Sequence, residues 1–188
     1  MYELYVIKKY FPIISFAGVI FLLLFIILMC GTTSGGSEDN VASIYLVAPF
    51  NQDVSYVITS NFGERIDPFD STKTSFHKGI DLVAPDGTDI VSSGDGVVIQ
   101  SGNTDSLGNY VVIEHNISNL KLYTLYAHML DDSVVVKKGD NVKVYDKLGI
   151  IGNTGRSTGT HLHFMISIYQ YSYDEKYLIN PINVINRT

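Results

Sequence analysis

From about Ile44 to Tyr169, short runs of β-branched and aromatic residues alternate with turns rich in Gly, Asn, Asp and Pro. This pattern predicts an all-β domain of short strands, because such residues favour half-buried positions on a pleated sheet. The density of these runs indicates a curled, mostly antiparallel sheet or a barrel-sandwich hybrid. The predicted strands are Val54 to Thr59, Ile80 to Val83, Asp89 to Ser93, Gly96 to Ser101, Tyr110 to His115, Leu120 to His128, Asn141 to Val144 and His161 to Tyr169.

One long apolar segment precedes this region. Residues 11–30 carry no charged side chain, and their number fits the roughly 20 residues that a helix needs to cross a membrane. A buried core helix of this length would show a polar stripe, whereas only Ser15 interrupts the apolar surface here. We therefore expect residues 11–30 to form a single transmembrane anchor.

The charges beside this segment predict its orientation. Lys8 and Lys9 precede it, and the first charged residues after it are Glu38 and Asp39. By the positive-inside rule, residues 1–10 then lie in the cytoplasm and the later residues lie outside the membrane. A cleaved signal peptide is the alternative, but its apolar region would be only about 7 to 15 residues long and would end in small residues.

Composition limits the classes of function. A length of 188 residues suits one domain besides the anchor; we expect a small, polar linker at 31–42 and the folded domain at 43–188. The net charge of −6, without a basic cluster, argues against nucleic-acid binding. Cys30 is the single cysteine, so the chain has no pair for a disulfide, although a lipidated Cys30 is an alternative to the plain anchor. Any metal must be held by histidines and carboxylates.

Four of the five histidines lie in three short motifs, one of which is Leu125 to Met129 with His128 at its fourth position. His77 and Asp81 form an H-x-x-x-D motif at the entry to an apolar strand. His161 and His163 form an H-x-H motif, and the two-residue period of a strand places both imidazoles on one face. A catalytic zinc needs about three nitrogen or oxygen ligands and one open position. His77, Asp81 and one histidine of the H-x-H pair would suffice, and zinc would lower the pKa of bound water towards about 7.

The remaining histidines are candidates for proton transfer. His128 and the unused member of the H-x-H pair can exchange protons near neutral pH, because an imidazole has an unperturbed pKa near about 6.5. His115 is expected to be an ordinary hydrogen-bonded strand residue. Each motif alone arises often by chance, but the three together in one small domain predict a hydrolytic metal site.

The motifs between about Ile58 and Ile168 resemble those of the lysostaphin-type, or LytM-like, zinc endopeptidases, which cut peptide bridges in bacterial cell walls. They occur in that family's order, and the resemblance implies its fold, of the duplicated-hybrid-motif type. The segments that carry the resemblance are Thr59 to Arg65, His77 to Leu82, Ala84 to Thr88, Gly94 to Val98, Tyr126 to His128, Lys138 to Asp140, Gly152 to Gly155 and His161 to Phe164.

The resemblance implies a role for each histidine motif. His77, Asp81 and His163 would bind one Zn²⁺, and His128 and His161 would be the catalytic residues that orient or deprotonate water and stabilise the tetrahedral intermediate. The implied substrate is the peptide part of peptidoglycan, and the implied location is a bacterial cell membrane with the catalytic domain outside. The chain lacks a recognisable wall-targeting domain, and the membrane anchor is expected to replace it.

Three features leave alternatives open. Arg65 could bind a substrate carboxylate through its planar fork or form a structural salt bridge. The domain could be a catalytically silent module that activates another wall hydrolase, although every ligand position is filled. The segment Val134 to Leu148 also has the spacing of half a lipoyl carrier, but Lys137 and Lys138 lack the small flexible neighbours of a modified lysine.

Overall fold

Strands form most of the secondary structure of residues 46–186, the part of the chain that the computed structural model describes. Two short 3-10 helices, Glu175–Tyr177 and Pro181–Asn183, lie near the end of this part. The strands are β1 Leu46–Val47, β2 Val57–Ser60, β3 Gly63–Asp67, β4 Asp70–His77, β5 Ile80–Val83, β6 Asp89–Val91, β7 Gly96–Thr104, β8 Gly108–Ile117, β9 Leu120–Met129, β10 Asn141–Val142, β11 Lys147–Ile150, β12 Leu162–Ile168, β13 Leu178–Ile179 and β14 Ile185–Asn186.

One large sheet organises these strands. It has eight strands in the order β10, β7, β8, β9, β12, β5, β2, with β13 also paired to β12. Adjacent strands in this sheet run antiparallel, as do the strands of the separate pairs β3–β4 and β6–β11. The strands β1 and β14 pair in parallel. The predicted all-β, mostly antiparallel class is confirmed.

Both faces of the central strands are buried. Along β8, Val111 and Ile113 point into the larger hydrophobic core, and Val112 between them joins a smaller cluster on the opposite face. The same alternation places Phe164 of β12 in the larger core and Met165 in the smaller cluster. Because side chains alternate between faces with a period of two, the strands that carry the site have a fixed register.

The structure corrects the predicted strands in one important place. The β3–β4 hairpin, a two-stranded ribbon, was not predicted, and neither were the short strands β1, β11, β13 and β14. The hairpin sequence, GERID followed by DSTKTSFH, lacks an apolar alternation because the hairpin packs outside the large sheet and leaves half of β4 exposed. The other predicted strands overlap observed strands, with ends that differ by up to three residues.

Within residues 46–186, the structure contains no helix with the length and hydrophobicity of a membrane span. The predicted cytoplasmic segment 1–10, anchor 11–30 and linker 31–42 lie outside the described residues.

A buried chain of hydrogen bonds crosses the larger core beside β8. The His115 ring is fully buried; its Nδ1–H donates to the Asp95 carbonyl oxygen at 2.8 Å, and its Nε2 lies 2.7 Å from the Thr124 hydroxyl. The Thr124 and Tyr126 hydroxyls are 3.1 Å apart, and the Ser93 N–H donates to the Tyr126 oxygen at 2.9 Å. His115 is therefore a satisfied structural residue, as predicted. Burial lowers its pKa, so the folded protein holds the ring neutral.

The pH dependence of stability tests this network. Because the pKa of His115 is lower in the folded state than its unfolded value near about 6.5, the unfolded state takes up the proton first as the pH falls. The stabilisation by neutral His115 is thus present above that value and is lost below it. In urea unfolding between pH 5 and 7, His115→Gln should reduce the slope of unfolding free energy against pH by up to about 1.4 kcal/mol per pH unit. Equal slopes for both proteins would contradict this assignment.

Candidate metal centre

Two neighbouring strands and a hairpin end bring the first and last histidine motifs together. Asp81 of β5 and His163 of β12 are directly opposite each other in the antiparallel ladder, and His77 is the last residue of β4. Gly79 lies between His77 and Asp81, where a Cβ atom would collide with the carbonyl oxygen of Phe164. The close approach of the two strands therefore requires glycine at this position.

Three ligand atoms meet at one point. His77 Nε2 is 3.0 Å from Asp81 Oδ1, His163 Nδ1 is 3.0 Å from the same oxygen, and the two nitrogens are 3.0 Å apart. His77 and Asp81 are buried, and the His163 side chain is 14% exposed. Among residues 46–186, these three form the one cluster of histidine, cysteine or acidic side chains with metal-binding geometry.

The triangle fits a small divalent metal. A tetrahedral zinc with bonds of about 2.0–2.1 Å has ligand atoms about 3.3 Å apart, close to the observed spacing. Because the Asn61 carbonyl oxygen accepts the Nδ1–H of His77 at 2.8 Å, the neutral ring presents the lone pair of Nε2 to the triangle. Lone pairs that converge on one point repel each other unless a cation or protons lie between them. Two imidazoles and one carboxylate are a donor set typical of catalytic zinc.

Polar contacts on the side away from the triangle hold the Asp81 carboxylate in place. Its Oδ2 accepts a hydrogen bond from Arg65 Nη1 at 2.9 Å, and the same guanidinium donates to the Ser60 hydroxyl. Burial alone would raise the pKa of Asp81, but hydrogen bonds with His163 and His77 hold the pKa well below its usual range. Asp81 is therefore an ionised carboxylate with one oxygen fixed by Arg65 and the other directed at the triangle. Of the two roles predicted for Arg65, the structure contains the salt bridge.

An irregularity at the end of β9 directs His128 towards the triangle. The pairing of β8 with β9 shifts by one residue between Asn109 and Val111, and His128 has a left-handed backbone with φ 64°. Regular alternation would place His128 on the core face with Tyr126, so the bulge turns the imidazole to the other side. The His128 ring lies 4.8 Å from that of His161 and 6.1 Å from that of His163, centre to centre.

Backbone carbonyls fix the tautomers of His128 and His161. The Thr154 carbonyl oxygen accepts the Nδ1–H of His128 at 2.8 Å, and the Gly159 carbonyl oxygen accepts that of His161 at 2.7 Å. In each neutral ring, Nε2 is then the free proton acceptor. Burial lowers the pKa of His128 to about 4. His161 Nε2 is 3.7 Å from Asp81 Oδ1, adjacent to the triangle and outside its 3.0 Å edges.

These side chains lie at the bottom of an open groove of about 480 Å³. One wall is the β3–β4 hairpin, and the other consists of the turn between β7 and β8 and the loop before β12. The turn between β7 and β8 contributes Leu107, and the loop before β12 contributes Gly159. Arg156, which lies outside the sequence motifs, also lines the groove. All five predicted site residues, His77, Asp81, His128, His161 and His163, face this groove.

Residues 75–176 match the sequence pattern of peptidase family M23 over more than half of the chain. The protein belongs to peptidase family M23. This match confirms the resemblance that the motifs indicated. The catalytic domain of lysostaphin from Staphylococcus simulans has the same fold. That structure superposes with a TM-score of 0.58 and 24% identity, over 69% of this chain and 90% of the lysostaphin domain.

Two relatives with higher sequence identity come from Vibrio cholerae. The peptidoglycan DD-endopeptidase ShyA is 39% identical over 117 residues, which are 62% of this chain and 26% of ShyA. The crystal structure of a zinc-containing peptidase shares 33% identity with a TM-score of 0.57, over 74% of this chain and 39% of that one. This M23 chain therefore spans well under half the length of these two relatives.

Replacement of Arg65 tests whether its hydrogen bond to Asp81 supports metal binding. Arg65→Met should lower zinc affinity about 10- to 100-fold, because Asp81 loses the hydrogen bond that orients its carboxylate. Zinc competition against a chelator of known affinity measures this effect. Lys73→Met is the matched control, because Lys73 lies on the same hairpin and pairs with Asp70 instead. Wild-type affinity in Arg65→Met would contradict a positioning role for Arg65.

Proposed function

We propose that this protein is a zinc-dependent endopeptidase that hydrolyses peptide bonds of peptidoglycan. The observation that carries the proposal is the triangle of His77, Asp81 and His163 at the bottom of a groove, with the free nitrogens of His128 and His161 beside it. Family membership supports peptide-bond hydrolysis. The name of ShyA supports peptidoglycan as the substrate, and that of the other Vibrio cholerae relative supports zinc as the metal.

We further propose that residues 11–30 anchor the enzyme in a bacterial cell membrane. The support is the uncharged run of residues together with the lysines before it and the acidic residues after it. In this arrangement, residues 1–10 are cytoplasmic and residues 43–188 act outside the membrane, where peptidoglycan lies. The linker 31–42 then sets the distance from the membrane at which the groove can reach its substrate.

The metal ligands have a binding role and the other two histidines a proton-transfer role. Zinc held by His77, Asp81 and His163 supplies a Lewis acid that polarises a carbonyl oxygen and lowers the pKa of water. Nε2 is the free acceptor atom of His161 and of His128, because their Nδ1–H groups are already committed to carbonyl oxygens. Since burial lowers the pKa of His128 to about 4, a proton taken up at its Nε2 is readily given up again. A ring protonated in this way becomes a donor at Nε2. It can then stabilise a developing oxyanion or return the proton to the leaving amine.

The surroundings of His128 and His161 keep both rings in place during proton transfer. The N–H of His128 donates to the Leu107 carbonyl oxygen at 2.8 Å, and the N–H of His161 donates to the Gly152 carbonyl oxygen at 3.0 Å. The backbones at Gly108 and Gly155 pack directly against each other's segments. A Cβ atom on either glycine would collide with the other segment. The groove is therefore built on close backbone contacts, which limit the movement of the two imidazoles.

Substitution of His128 separates catalysis from metal binding. His128→Ala should lower the rate of cleavage of purified peptidoglycan about 100- to 1,000-fold, because it removes a proton carrier and oxyanion donor. Zinc content should stay at one per chain, since His128 is outside the ligand triangle. His77→Ala should lose both activity and zinc. Loss of zinc in His128→Ala would instead make His128 a ligand and contradict the proposed roles.

Removal of the metal distinguishes the enzyme from a silent binding or activating module, the second candidate function. Treatment with a chelator should abolish the release of peptide fragments from peptidoglycan, and stoichiometric zinc should restore it, because the triangle needs the cation. Mass spectrometry of the fragments measures the activity and identifies the bond that is cut. If the zinc-loaded protein binds peptidoglycan but releases no fragment, the enzyme proposal is wrong and the module is favoured.

A further inference from the structure

The charged side chains that line the groove differ in how closely they pair with an opposite charge. Three charged residues line it besides the histidines: Asp81, Arg65 and Arg156. Asp81 and Arg65 form an ion pair at 2.9 Å and largely neutralise each other. Among residues 46–186, Arg156 has only a longer ion pair, at 3.8 Å with Asp67, and it is the groove-lining charge that is least neutralised. The rest of the groove lining is rich in hydroxyl groups, which are those of Thr59, Ser60, Ser106, Ser157, Thr158 and Thr160.

The Arg156 guanidinium is held in place without using its hydrogen-bond donors on a carboxylate. It lies over the Phe69 ring at 4.3 Å from the ring centre. The carboxylate of Asp67 is 3.8 Å away, beyond hydrogen-bond distance, and already accepts the N–H groups of Phe69 at 2.8 Å and Asp70 at 3.2 Å. The Arg156 side chain is 60% exposed. A guanidinium has five N–H donors in its plane, and contact through its face leaves the donors at its edge available.

Arg156 also connects the two walls of the groove. Its backbone N–H donates to the Ser106 carbonyl oxygen at 3.1 Å, which fixes its backbone to the turn between β7 and β8. Its guanidinium reaches Phe69 at the tip of the β3–β4 hairpin on the other wall. A peptide in the groove therefore passes close to an oriented cation. The protein as a whole carries a charge of −6, so attraction of an anionic peptide has to come from a local group of this kind.

We propose that Arg156 is a specificity-determining residue that binds a carboxylate of the substrate, so that the groove selects acidic peptides over neutral ones such as oligoglycine. This inference rests on the proposed peptidase function and names its substrate class. The planar fork of arginine matches a carboxylate through two parallel hydrogen bonds. Thr158 and Ser157 beside it supply neutral hydroxyl groups. The nearby carboxylate of Asp67, at 3.8 Å, is beyond hydrogen-bond distance and leaves the guanidinium donors available to the substrate.

The test compares two peptides that differ only in whether their carboxyl groups are free or amidated. The zinc-loaded full-length protein in detergent is given a cross-linked peptidoglycan peptide with free carboxylates, or the same peptide with those carboxylates converted to amides. Wild-type kcat/KM should be about 10- to 100-fold higher for the carboxylate form, the range expected for hydrogen bonds to a charged group. Arg156→Gln should lower kcat/KM for the carboxylate form and leave the amide form nearly unchanged, so that the preference disappears.

Controls separate recognition from structural support. Lys73→Gln removes the same charge from an exposed position of the hairpin outside the groove and should keep the preference. Arg156→Lys should keep only part of it, because an ammonium group cannot form the paired hydrogen bonds. Equal losses for both peptides in Arg156→Gln would mean that Arg156 only braces the two walls, and this result would overturn the inference.

Failure of the inference can be told apart from failure of the proposed function. If the wild-type protein cleaves both peptides at equal kcat/KM, the peptidase proposal stands and the role of Arg156 is wrong. If it cleaves neither, the peptidase proposal fails. Calorimetric binding of the same two peptides then decides the inference, which requires weaker binding of the amide form by the wild type and no difference in Arg156→Gln.

Discussion

The site depends on the pairing of β5 with β12. Ile80 and Leu82 of β5 and Leu162 and Phe164 of β12 are fully buried, and each faces a partner across the ladder. Burial of one such side chain contributes about 1.5–3 kcal/mol, so a one-residue shift of either strand, which would remove its two apolar side chains from the larger core, would cost up to about twice that amount. With the register fixed in this way, Asp81 has to lie opposite His163. Hydrophobic burial on one face of the sheet thus places the polar ligands on the other face.

A second constraint decides which nitrogen of each imidazole faces the groove. His77, His128 and His161 each donate one ring N–H to a backbone carbonyl oxygen, those of Asn61, Thr154 and Gly159. A carbonyl oxygen can only accept, so these contacts leave Nε2 of each ring directed at the centre. The loops that provide the carbonyl groups are fixed by their own hydrogen bonds and by close glycine packing. The chemistry of the side chains is therefore set by the backbone around them.

The sequence predicted the parts of this arrangement that follow from local patterns. Ile80–Val83 and Leu162–Ile168 have strand sequences, and the H-x-H spacing places two imidazoles on one face of a strand. The choice between His161 and His163 could not be made from spacing, because it depends on which residue is opposite Asp81. The position of His128 depends on a bulge with a left-handed residue, for which a non-glycine sequence gives no signal.

The hairpin, the choice between the two roles of Arg65 and the position of Arg156 could not be predicted for a different reason. β3 and β4 pair with each other outside the large sheet, so burial imposes no apolar alternation on their sequence. Arg65 and Arg156 lie far apart in the chain, and only the fold gives Arg65 a carboxylate partner and leaves Arg156 over an aromatic ring. Long-range contacts of this kind separate a structural arginine from one that is available to a substrate.

The most direct test of the account is the position of zinc in crystals of the metal-loaded protein, measured by anomalous diffraction at the zinc edge. The account predicts one zinc per chain, bonded at about 2.0–2.2 Å to His77 Nε2, Asp81 Oδ1 and His163 Nδ1, with a fourth position open to the groove. A metal bound instead through His128 or His161, or no metal at this position at saturating zinc, would contradict it.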